Sequence, residues 1–102
     1  MHLVQLLLPL RDNDDRPFPR ADFDRVNHEL TERFGGVTAY LRAPATGAWR
    51  DEEGGVARDE MAIVEVMDDT LDGAWWSGYR RELERRFRQD EIVIRASEIE
   101  RL

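Results

Sequence analysis

Apolar residues recur along this chain with two different periods, and the change from one period to the other marks out its elements. One series falls at Phe23, Val26, Leu30 and Phe34, and a second at Trp76, Tyr79, Leu83 and Phe87. Both run i, i+3, i+7, i+11, which keeps four side chains within a narrow arc and predicts two amphipathic helices. The remaining apolar segments are shorter and strand-like. Leu3 to Leu8 is apolar on both faces except at Gln5, as a central strand would be, and Pro9 closes it because it has no N–H for a ladder. Val37 to Ala43 alternates, with Thr38, Tyr40 and Arg42 on one side and Val37, Ala39 and Leu41 on the other. A short arm, Ala48 to Arg50, leads to a turn at Glu53-Gly54-Gly55, and Val56 begins the return. Met61 to Met67 is apolar on both faces except at Glu65, and Glu91 to Ala96 forms the last strand.

Local signals fix the helix ends. Pro19 is placed to open the first helix, Asp22 puts negative charge at its positive end, and Gly35-Gly36 stops it. Asp68, Asp69 and Thr70 are capping types before the second helix, expected over Leu71 to Phe87, and Asp72 belongs to the same helix-start chemistry. The order is therefore β-α-β-β-α-β within a single domain over residues 1–102. With right-handed crossovers it predicts an α+β, ferredoxin-like βαββαβ fold: a four-stranded antiparallel sheet with two helices on one face.

Such a fold leaves the other sheet face uncovered. Strand parity assigns to it Leu3, Gln5 and Leu7; Met61, Ile63, Glu65 and Met67; Thr38, Tyr40 and Arg42; and Val93 and Arg95. A surface this apolar is larger than soluble monomers usually expose. It predicts a homodimer joined through the open face, with room for a small-molecule ligand at the seam.

Composition narrows the function classes. The chain has 102 residues, no cysteine and a formal net charge of −7. Phosphate binding needs positive surface, so the acidic balance argues against nucleic acid as a partner. No apolar run approaches the roughly 20 residues that cross a bilayer, so no membrane association is expected. Leu3 to Leu10 lacks a basic leader and a cleavage site, and reads as a strand. The absence of cysteine suits a reducing, cytoplasmic compartment. All 15 basic residues are arginine, which excludes lysine Schiff-base chemistry. His2 and His28 lack metal-ligand spacing, so no metal or other cofactor is expected; His28 should face solvent and His2 should fray. The acidic runs Asp12–Asp15 and Asp51–Glu53 read as solvated loops.

Six residues carry what chemistry remains. Glu65 lies mid-strand on an apolar face, where desolvation would raise its pKa toward that of a general base. The competing role is a structural ion pair with Arg95 or Arg42. Trp49 and Arg50 could together grip an anionic or aromatic ligand, or Trp49 could plug one end of the sheet layer or reach across a dimer. Tyr40, Arg42 and Arg95 would complete a ligand-binding face. Two readings stand side by side: a homodimeric domain, without metal or nucleotide, that dimerises or binds a small ligand through its open sheet face, and a small cofactor-independent enzyme acting on an apolar or aromatic metabolite with Glu65 as acid/base.

Gly47-Ala48-Trp49-Arg50, Gly55 and Arg58-Asp59-Glu60, followed by Tyr79, Phe87 and Gln89, form a pattern G-x-W-R…G…R-[DE] with a Y…F-x-Q helix end. In this the chain resembles a group of small bacterial proteins over roughly Phe34 to Ala96. The resemblance implies a ferredoxin-like, dimeric domain and no particular activity. More distantly the architecture is similar to dimeric α/β-barrel proteins, some of which are monooxygenases or bind haem. No histidine here falls inside an expected strand where haem would need its ligand.

Overall fold

The computed structural model describes residues 1–39, 45–50 and 56–102, with side chains described for 1–39 and 61–102. Its elements are β1 (His2–Pro9), α1 (Arg20–Phe34), β2 (Thr38–Ala39), β3 (Ala45–Arg50), β4 (Val56–Asp68), α2 (Gly73–Arg86) and β5 (Val93–Glu98). All strand pairs are antiparallel, in the order β2-β4-β1-β5. β3 pairs with the first half of β4, whereas β2 pairs with Glu65 and Val64 in its second half, so the sheet is four strands wide. This is the expected α+β, ferredoxin-like arrangement. Two segments separated in the sequence reading, the return from Val56 and the strand at Met61–Met67, are one 13-residue strand. The Glu53–Gly55 turn and residues 40–43 of the expected second strand lie outside the described residues.

The two periodicities explain the core. Even-numbered residues Val4, Leu6 and Leu8 of β1 and Ala62, Val64 and Val66 of β4 are buried in one cluster with the helix stripes. Phe23, Val26 and Leu30 come from α1; Trp76 and Leu83 come from α2, with Phe87 at its end. Helix ends follow backbone need. Gly35 takes φ 82, a left-handed conformation costly for residues with a Cβ, and its N–H caps the Thr31 carbonyl. Asp72 is the N-cap of α2, accepting from the Trp75 N–H at 3.1 Å.

Several expectations are corrected. Asp68 does not start the helix; it ends β4, is buried, and accepts from Trp76 Nε1 and from the Thr70 N–H, both at 3.2 Å. The indole N–H needs a partner once its ring is in the core, and this carboxylate supplies it. His2 does not fray: it sits within β1 between Asp68 and Glu98. β5 begins at Val93 and not at Glu91, because Ile92 turns into the core and its N–H goes to the Glu84 carboxylate at 2.9 Å. His28 faces solvent as expected.

An ion-pair clamp joins the outer edges of the helices. Arg86 donates from both terminal nitrogens to the Glu29 carboxylate, Nη2 to Oε2 at 2.7 Å, while Tyr79 Oη donates to Glu29 Oε1 at 3.1 Å. Arg86 Nε also reaches Glu82 at 3.1 Å. The guanidinium of Arg86 holds the Glu29 carboxyl below the usual carboxylate range. Arg85 and Arg86 together push Glu82 down to about 2, and burial beside Glu29 pushes Tyr79 up. Among the described residues no helix is long and apolar enough to cross a membrane.

Candidate functional site

Odd-numbered residues of β1 and β4 face away from the helices, so among the described residues the open face consists of Leu3, Gln5, Leu7, Met61, Ile63, Glu65 and Met67, with Thr38, Val93 and Arg95 in register beside them. Leu3, Leu7, Met61 and Ile63 are half-buried, whereas Met67 is 52% and Val93 45% exposed. Register arranges them in rows across the strands. Thr38 lies opposite Glu65, Glu65 opposite Gln5, and Gln5 opposite Arg95. A polar belt thus crosses the face, with Ile63, Leu7 and Val93 on one side and Met67, Leu3 and Ser97 on the other. Within the belt Arg95 Nε donates to Gln5 Oε1 at 2.9 Å.

One end of the belt opens into a groove of about 590 Å³. β2 begins at Thr38, opposite Glu65, so the edge of β4 beyond Glu65 is met by the turn that leaves α1. The groove lies between them, lined by Phe34, Gly35, Gly36, Val37 and Thr38 on one side and by Glu65, Val66, Met67 and Leu3 on the other, together with Arg101. Its aromatic wall is fixed: Phe34 stacks on Trp76 at 5.2 Å between centroids and 8° between planes, and meets the edge of Trp75 at 5.4 Å. Arg33 sits over the Trp75 ring at 4.1 Å, bracing the last turn of α1 against α2. Chemically the groove offers a half-buried carboxylate, a hydroxyl and an arginine among apolar side chains.

Two solved structures share this fold. They are a phage SAM lyase in complex with S-methyl-5′-thioadenosine and a phage SAM lyase in its apo state. The first matches with a TM-score of 0.64 and 14% identity, over 95% of this chain and 80% of that one. The second matches with a TM-score of 0.62 and 13% identity, over 94% and 78%. The likeness is one of fold. The sequence matches no protein-family model and no curated protein.

The expected site residues separate under this geometry. Glu65 lines the groove; Arg95 stands two strands away on the same belt, with its guanidinium on Gln5. Trp49 and Arg50 lie opposite Ala57 and Val56 in the β3–β4 extension. At a strand rise of about 3.3 Å those positions are roughly 26–30 Å along β4 from Glu65, so backbone register does not bring them to the groove of the same chain. Their side chains, and Tyr40 and Arg42 altogether, lie outside the described residues. Among the described residues no cluster of His, Cys, Asp and Glu could hold a metal ion. The sequence reading passed over the contribution of Phe34, Gly35, Gly36 and Arg101. The double glycine after an amphipathic stripe was the available signal, and it reads equally as a helix stop.

Proposed function

We propose that this chain is a small-ligand-binding protein whose ligand lies in the groove between the Gly35-Gly36 turn and the edge of β4. The observation that carries the reading is Glu65 placed beside Thr38 at the end of the polar belt, within a groove of about 590 Å³ whose lining mixes polar groups with Leu3, Phe34, Val37 and Met67. That volume suits a small organic molecule, and a few convergent polar groups in an apolar pocket are what fix a ligand's orientation. The ligand class follows from the fold relatives, one of which holds S-methyl-5′-thioadenosine. A nucleoside thioether or sulfonium compound offers a ribose diol whose hydroxyls can donate to Glu65, and an apolar sulfur arm for Phe34, Val37 and Met67. A cytoplasmic setting, as the cysteine-free composition suggests, accompanies this reading.

Calorimetric titration with S-methyl-5′-thioadenosine and with S-adenosylmethionine tests it. The expected result is saturable binding of at least one compound, weakened at least tenfold in Glu65→Gln with the circular dichroism spectrum unchanged. No heat and no thermal shift with either compound at millimolar concentration would refute it. A second reading, catalysis with Glu65 as acid/base, is favoured by the same carboxylate lining the groove. Incubation with S-adenosylmethionine followed by chromatography checks this: turnover by the wild type and none by Glu65→Gln would support it, and an unchanged substrate peak would leave only binding.

A further inference from the structure

We infer that the open sheet face is covered by a second copy of this chain, related by a two-fold axis that runs along β1. Among the described residues the helices lie on the opposite face, and no other element covers this one. An axis along β1 superposes β4, β1 and β5 on their counterparts and leaves β2 outside, so three strands meet three. Sheets pack face to face at about 10 Å, close enough for long side chains on opposed strands to meet.

Charge selects the axis. A two-fold interface brings each patch against itself, and two simple axes lie in its plane. An axis across the strands, through the polar belt, would set Glu65 against Glu65 and Arg95 against Arg95. Like charges would then meet in a dehydrated layer. An axis along β1 exchanges β4 with β5. Gln5 then meets Gln5 and Leu7 meets Leu7, while Ile63 meets Val93. Glu65 faces Arg95 of the second copy, twice by symmetry, because both are in register with Gln5 on either side of β1. The second copy would also carry the Arg95 guanidinium to the mouth of the groove, beside Glu65. The inference needs no ligand, and its test reads association alone.

Light scattering of the unliganded protein at micromolar concentration should give twice the 12.0 kDa chain mass. Glu65→Arg and Arg95→Glu should each shift the protein to monomer, since both contacts become like-charged. Mixing the two variants should restore a dimer containing one chain of each, because every contact in that pair is again of opposite sign. A strict monomer or a trimer for the wild type would overturn the two-fold arrangement, as would failure of the mixed variants to associate while both remain folded by circular dichroism. Should either variant unfold, single-cysteine labelling decides, since the chain has no cysteine of its own. Gln5→Cys should be cross-linked by a short bismaleimide, and Arg80→Cys, on the exposed side of α2, should not. Equal cross-linking of the two would overturn the inference.

Discussion

Replacing Arg86 with methionine removes the charge that ties α2 to α1 while keeping an apolar stem of similar length. Arg86 is 14% exposed and its partner Glu29 34% exposed, so the pair is only partly wet. Two nitrogens of Arg86 donate to Glu29, and its Nε donates to Glu82. Hydrogen bonds to charged groups contribute about 1.5–3 kcal/mol when protected, whereas fully exposed pairs contribute about 0–1 kcal/mol. Water can partly replace the guanidinium on Glu29, which places the expected loss near 2 kcal/mol. For a domain of this size that corresponds to a melting temperature lower by roughly 8–16 °C. The pH dependence has a definite sign. The Glu29 carboxyl is held below its ordinary value of 4.5 in the folded state. Its contribution is therefore complete above that value and is lost as pH falls through the lowered folded value. Thermal melts of wild type and Arg86→Met should thus differ most near neutrality and converge in acid, below the ordinary carboxylate value. A double-mutant cycle with Glu29→Gln should show coupling of about 1 kcal/mol or more. A difference under about 3 °C at neutral pH would show that the helices are held by their apolar stripes alone, and one that stays constant into acid would show that the loss does not come from the ion pair.

Three other substitutions probe separate parts of the fold. Leu6→Ala, at a fully buried position of β1, should cost about 2–5 kcal/mol in urea unfolding, and a cost below 1 kcal/mol would contradict the core described above. Trp76→Phe removes the donor to buried Asp68 and should lower stability by about 1–3 kcal/mol, with little loss if Asp68 is in fact hydrated. Gly35→Ala and Gly36→Ala form a matched pair, since a Cβ meets nothing within 4 Å at either site. Only Gly35 has positive φ, so its variant should lose about 1 kcal/mol by chemical denaturation while the Gly36 variant is neutral or slightly stabilised.

The sequence by itself determined the class of fold and the two faces of the sheet. Period decides both: a stripe at i, i+3, i+7, i+11 can bury its apolar residues only as a helix, and parity along β1 and β4 sends alternate residues to opposite sides. Tertiary structure decided what meets what. The polar belt exists because register sets Thr38, Glu65, Gln5 and Arg95 in one row, and register is a relation between strands distant in sequence. The clamp of Glu29, Tyr79 and Arg86 joins residues 50 and 57 positions apart, so no local pattern announces it. Asp68 and Asp72 are the same residue type four positions apart, both fit to cap a helix; burial of the Trp76 indole gave one of them another task. The groove likewise depends on β2 beginning only at Thr38, opposite Glu65, and on the backbone leaving α1 through Gly35 to pass the edge of β4. Local chemistry is written in neighbouring residues, whereas a site is written in contacts, and contacts form only once the chain has closed on itself.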